Sequence, residues 1–165
     1  MPSSNATLAD DFRDCIDALN GRKVNFVLVG AYAVGWHGVV RATGDIDFLY
    51  KQTKRNVAAL CLALSDFGAP PHLIDEEFLL SPNAITQIGL EPLRIDLLAA
   101  ISGVSFDEVR RGAIEVEVDG RSLLVIGMNE LRRNKGATGR TKDREDLRRL
   151  DALPKARTRQ PKNKP

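Results

Sequence analysis

Residues 24–50 read VNFVLVGAYAVGWHGVVRATGDIDFLY, and the fold turns on this stretch. Residues 24–29 are a short, valine-rich apolar run, the pattern of a buried strand, and Gly30 closes it. The residues at 31–39 are small and apolar, which predicts a short helix. Residues 45–50, DIDFLY, read as a second strand. A period of two puts Asp45 and Asp47 on one face of that strand, with Ile46 and Phe48 on the other. Aspartate is depleted in strands, and two neighbouring like charges repel. A divalent cation offsets both effects, because hard cations take carboxylate oxygens and Mg²⁺ is typically held by one or two carboxylates plus substrate phosphates. A bare D-x-D also occurs at solvated strand ends, so its surroundings decide. Here a strand that ends in Gly30 and runs into a helix makes a place for phosphate, where backbone N–H groups and the helix dipole face an anion. Gly30, Ala31 and Ala33 are small enough to let a triphosphate reach the backbone.

Outward from this stretch, helices and strands alternate. Leu8, Phe12, Cys15, Ile16 and Leu19 recur at helical spacing until Asn20-Gly21, an amphipathic first helix. Residues 53–67 form another, with Val57, Leu60, Cys61 and Leu64 on one face and Gly68 and two prolines at its end. Residues 84–90 and 93–99 read as strands joined at Glu91-Pro92, and 105–112 as a short helix. Residues 114–118 and 121–126 form a hairpin around Asp119-Gly120, and 128–135 and 141–152 are helical. Such alternation predicts the α/β (α+β) class, with a mixed β-sheet flanked by helices. We expect one domain over residues 1–153. Residues 154–165 are basic and lack apolar residues beyond Ala156, so a disordered tail is expected there.

Composition narrows the class. The 165 residues are 43% hydrophobic and 28% charged, ordinary values for a soluble globular protein. No apolar run is long enough for a membrane span, and the start, MPSSNATLADDF, lacks the basic and apolar regions of a signal peptide. A cytoplasmic protein is expected, with no membrane partner. Cys15 and Cys61 form no metal-ligand spacing and read as buried thiols. Residues 1–130 carry 11 Lys/Arg against 18 Asp/Glu, whereas residues 131–165 carry 13 against 4. The basic end suits an anionic partner such as phosphate or nucleic acid; composition alone leaves a solubilising helix face equally open.

A third carboxylate, Asp96, lies inside the apolar run LRIDLLAA. An ionised group flanked by Ile95, Leu97 and Leu98 is costly unless it is paired or metal-bound. It pairs with Arg94, sits at a solvated edge, or completes a metal site with Asp45 and Asp47. A phosphate loop, a carboxylate pair and a lone carboxylate from three elements fit two-metal phosphoryl transfer. No Ser-His-Asp or Cys-His set supports covalent catalysis.

These motifs resemble the signature of the nucleotidyltransferase superfamily of polymerase-β-like fold: a hydrophobic residue, Gly and Gly or Ser, 9 to 13 residues, then an acidic pair spaced by one hydrophobic residue. Here Gly30-Ala31 is followed by 13 residues and then Asp45-Ile46-Asp47-Phe48. Gly30, Ala33, His37, Gly38, Arg41, Thr43, Asp45 and Asp47 match the first motif of the minimal, abortive-infection (AbiEii-like) group. The similarity runs from residue 24 to about residue 150. It implies Asp45, Asp47 and Asp96 as catalytic residues holding Mg²⁺ or Mn²⁺. Gly30, Ala31, Arg41 and Thr43 would line the nucleotide site. The segment LRRNKGATGRTKDREDL also resembles the family's C-terminal motif, which adds Lys135, Arg140 and Lys142 toward the triphosphate. Asp143 and Asp146 would then hold those cations or cap the helix beginning near Thr141. Arg41 has a second reading as a salt bridge, and His37 reads as a substrate contact or, more commonly for a lone histidine in a small-residue helix, as a packed polar residue. The implied substrate is an NTP. The implied acceptor is RNA such as tRNA, a protein side chain or a small molecule such as an antibiotic, and a toxin with a cognate antitoxin is one such setting. Ala31 departs from the family's Gly or Ser. The alternative is therefore a non-catalytic nucleotide- or nucleic-acid-binding module on the same fold.

Overall fold

Phe26–Val29 forms strand β1, buried at all four positions. It is shorter at its start than the expected 24–29 because Asn25 is paired with a side chain. The Asn56 amide accepts from the Asn25 N–H at 2.7 Å and donates to its carbonyl at 3.1 Å. The computed structural model describes residues 7–155; from residue 156 onward the expected tail lies outside the described residues. Helix α1 is Asp10–Gly21, α2 is Gly30–Trp36, β2 is Asp45–Tyr50 and α3 is Lys54–Phe67. A 3-10 turn at Pro71–Leu73 and helix α4 at Glu76–Leu79 follow, then β3 at Ile85–Ile88 and β4 at Arg94–Leu98. Helix α5 at Phe106–Gly112 leads to the hairpin of β5, Ile114–Val118, and β6, Arg121–Val125. Helices α6, Met128–Ala137, and α7, Thr141–Asp151, complete the described chain.

The strands form one mixed sheet in the order β3-β4-β2-β1-β6-β5. β2 runs parallel to β4 and antiparallel to β1, and β1 runs parallel to β6. The expected mixed sheet flanked by helices is therefore present. The first turn of α4 was not anticipated, although Asp75 supplies its N-cap by accepting from the Phe78 N–H at 3.0 Å and Glu76 and Glu77 follow it. The core gathers where α1 packs on α3 and against the sheet: Phe12, Ile16 and Leu19 with Phe48, Leu60 and Leu64, all buried. Phe26 meets Phe48 edge to face at 5.4 Å, a geometry that aromatic quadrupoles favour. Cys15 is buried as expected, and burial pushes its thiol up to about 12. Cys61 is only half-buried, since it flanks rather than occupies the inward face of α3. Among the described residues no helix is long and apolar enough to cross a membrane.

Candidate active site

Strand register assembles the acidic residues. Asp47 stands opposite Asp96 across the β2–β4 pair, and Asp45 stands opposite Arg94. Opposed residues share a sheet face, so all four side chains rise on the side away from buried Ile46 and Phe48. Each of Asp45, Asp47 and Asp96 offers an oxygen within 4.8 Å of the others. The cluster lies where β2 and β4 begin and where β1 runs into Gly30, the first residue of α2. Val29 is the register partner of Asp47 on the β1 side, and Gln87 is the partner of Asp96 on the β3 side.

Gly30 is required by this geometry. Its φ is +70°, and a Cβ there would overlap the Asp47 carboxylate. Glycine both adopts the left-handed conformation freely and leaves the space that Asp47 fills. Ala31 follows and is buried. The Thr43 hydroxyl donates to Asp45 Oδ1 at 3.0 Å, so Thr43 orients the first aspartate. His37 bonds through Nε2 to the Ile126 carbonyl at 2.7 Å, consistent with a packed polar residue tying α2 to the end of β6.

Electrostatics single out Asp47. Burial first, and then the neighbouring charges of Asp45 and Asp96, push its carboxyl from 3.8 up to about 7; Lys135 and Arg94 oppose this and do not prevail. Arg94 is the cation that reaches the cluster. Its Nε donates to Asp96 Oδ1 at 2.8 Å and its Nη2 to Asp45 Oδ2 at 2.6 Å. The readings of Asp96 as an Arg94 partner and as a member of an acidic triad are therefore both realised. The reach of Arg94 to Asp45 was not foreseen. It follows from the parallel register, which sequence patterning does not specify.

The C-terminal cations sit in a second, separate network. Lys135 is 4% exposed, and its ammonium lies 2.8 Å from Asp143 and 3.0 Å from Asp146. Arg41 forks onto both oxygens of Asp146 at 2.7 and 2.9 Å. Arg140 donates to Asp143 at 2.6 Å, and Thr138 donates to it at 2.7 Å. Asp143 and Asp146 thus hold the cations and do not cap α7, whose N-cap has no side-chain bond. Lys142 is exposed. The structure thus brings Gly30, Thr43, Asp45, Asp47 and Asp96 together. It ties Arg41, Lys135 and Arg140 to one another through Asp143 and Asp146, and Lys135 still lies near enough to act on Asp47.

No family model matches the sequence, and no curated protein matches it. Solved structures do. A Thermotoga maritima protein provisionally designated a nucleotidyltransferase is 16% identical, with a TM-score of 0.57 over 87% of this chain and 95% of that one. The lincosamide antibiotic adenylyltransferase LnuA, solved with lincomycin bound, is 15% identical, with a TM-score of 0.54 over 91% of this chain and 100% of that one. At such identity the likeness is one of fold, which this chain shares with both proteins.

Proposed function

We propose that this chain is a cytoplasmic, metal-dependent nucleotidyltransferase that moves a nucleoside monophosphate from an NTP to an acceptor hydroxyl. The observation that carries the reading is the triad itself: three carboxylates from two adjacent strands, on one sheet face, with oxygens within 4.8 Å and with Asp47 pushed up to about 7 by the crowding and burial of negative charge. An all-oxygen, anionic set of this kind fits Mg²⁺ or Mn²⁺. Asp45, Asp47 and Asp96 would hold the ion, which when bound would orient the triphosphate and neutralise developing charge.

The remaining steps fall to the chain's own residues. Thr43 fixes Asp45. Gly30 and Ala31 let the triphosphate approach the backbone, and Arg41, Lys135, Arg140 and Lys142 supply positive charge toward it. Asp96 accepts the proton of the attacking hydroxyl. The acceptor oxygen bonds to the α-phosphorus, the bond from that phosphorus to the bridging oxygen breaks, and pyrophosphate leaves.

The full-length likeness to a lincosamide adenylyltransferase supports a small hydroxylated acceptor. The resemblance to the AbiEii-like group supports RNA such as tRNA, and with it a toxin held by an antitoxin. Ala31 favours the second reading, a module that binds nucleotide or nucleic acid without turnover. One experiment separates these readings. The protein is incubated with each labelled NTP, Mg²⁺, and either total RNA or a panel of hydroxylated antibiotics. Label on one acceptor class, with pyrophosphate released and both lost in Asp47→Asn, supports transfer. NTP binding without pyrophosphate release leaves the binding module, and no binding of any NTP overturns both.

A further inference from the structure

One guanidinium already bridges two members of the triad. Arg94 Nη2 is shared between Asp45 Oδ2 at 2.6 Å and Asp96 Oδ2 at 3.2 Å, while its Nε takes Asp96 Oδ1 at 2.8 Å. Asp45 Oδ1 is taken by Thr43, and Gln87 adds a second donor to Asp96 Oδ2 at 3.3 Å. Among the described residues, the two Asp47 oxygens are the only members of the triad that accept no hydrogen bond. An ion bound by all three aspartates must therefore use oxygens that Arg94 holds, and would stand beside its positive charge.

A retreat for the guanidinium is built in. Arg94 Nη1 lies 3.3 Å from Glu91 Oε1, and the Glu91 side chain is 66% exposed. Glu91 rests against Gly44, directly before Asp45, where a Cβ would stand 2.5 Å from Glu91 Cδ.

We infer that Arg94 is a displaceable counter-ion: it binds the triad in competition with the divalent cation and withdraws onto Glu91 when the ion enters. This rests on the metal site proposed above. It gives the site a preference for metal arriving with a triphosphate, whose negative charge both the ion and the freed guanidinium can share.

Mn²⁺ binding to the full chain without nucleotide, read by the electron paramagnetic resonance of free Mn²⁺, tests this. Arg94→Met should bind Mn²⁺ at least tenfold more tightly than the wild type, and Glu91→Gln severalfold more weakly. Arg94→Met should also melt below the wild type in chelator and gain more on adding Mn²⁺. If Arg94→Met does not fold, Arg94→Lys replaces it, because a single ammonium spans the two aspartates less well and should still tighten binding. Unchanged or weaker affinity in whichever variant folds overturns the counter-ion role while leaving the metal site standing. Absence of Mn²⁺ binding in the wild type and the variants alike overturns the metal site, and this role with it.

Discussion

Two acidic clusters in this molecule are built from the same side chains and behave in opposite ways. Asp143 and Asp146 face Lys135, Arg41 and Arg140, so two carboxylates meet three cations. Asp45, Asp47 and Asp96 face Arg94, so three carboxylates meet one. Burial alone would raise the Asp143 carboxyl, but hydrogen bonds from Lys135, Thr138 and Arg140 outweigh it and hold it at about 2. Burial also raises Asp47, and there the neighbouring aspartates add to the effect and carry it to about 7. The first cluster carries one positive charge in excess and fastens α6, α7 and the segment before β2 together. The second is left short by two positive charges, the charge of one divalent ion. A charge deficit at one end of a sheet suits the metal site proposed above, whereas the carboxylates of the other cluster already have their cations.

Single substitutions should separate the two clusters cleanly. Asp47→Asn should abolish nucleotidyl transfer, a loss of several kcal/mol of transition-state stabilisation, while leaving the urea midpoint unchanged or slightly raised through relief of like-charge repulsion. Asp146→Ala should do the reverse first. It removes a carboxylate that is 1% exposed, leaving Arg41 without its ion-pair partner and Lys135 with Asp143 alone, and breaking a buried pair costs about 3–5 kcal/mol. Equal loss of stability in the two variants would erase the distinction between the clusters.

The pH dependence of stability sharpens the same contrast. In chelator, native Asp47 titrates at about 7 against an ordinary 3.8, so between those values the folded state holds a proton that the unfolded chain has released. Stability is therefore lost as the pH rises from about 4 to about 7, by at most about 4 kcal/mol. Asp143 runs the other way. Its contribution is present above about pH 4 and is lost as the pH falls through about 2. Urea titrations at pH 5 and 7.5 should show the wild type weaker at the higher pH, with the gap closed by Asp47→Asn and narrowed by Mg²⁺, which replaces the proton. A wild type as stable at pH 7.5 as at pH 5 in chelator would contradict the charge deficit.

Gly30→Ala carries a smaller effect. The left-handed backbone costs about 1–2 kcal/mol for a residue with a Cβ, and the added methyl must push the Asp47 carboxylate aside. Thermal melts should show the modest loss, and Mn²⁺ affinity should fall with it. Retained affinity would mean that Asp47 is not a ligand.

Strand pairing is where the sequence stops being legible. The period of two placed Asp45 and Asp47 opposite Ile46 and Phe48, and burial of the latter pair follows that pattern. Gly30 stood out as a backbone position, though the reason found is Asp47 rather than phosphate alone. Asp96 was visible as a charge in an apolar run. Its pairing with Asp47, and that of Arg94 with Asp45, comes from the β2–β4 register, which joins residues about fifty apart and leaves no local mark. Gln87 comes beside Asp96 through the antiparallel β3–β4 register, which the two strand patterns alone do not fix. The C-terminal cations were legible as a motif, but their placement was not. Lys135 looks like an ordinary exposed helical lysine until α7 brings Asp143 and Asp146 onto it.

The smallest effect is expected at the basic end of the chain. Residues 155–165 carry five Lys/Arg, no acid and no apolar residue beyond Ala156. Deleting them should leave the melting temperature within about one degree, as for a terminal segment without apolar anchors. The informative readout is binding. If the acceptor is RNA, the deletion should weaken it and flatten its dependence on salt, because each lost phosphate contact removes about 0.9 from the slope on duplex and about 0.7 on single strands. If the acceptor is a small molecule, turnover should be unchanged. Lys135 and Arg140 lie before the tail and are proposed above to face the triphosphate, so their loss should impair NTP use with either acceptor. A deletion that unfolds the protein would place the boundary of the folded unit beyond residue 153.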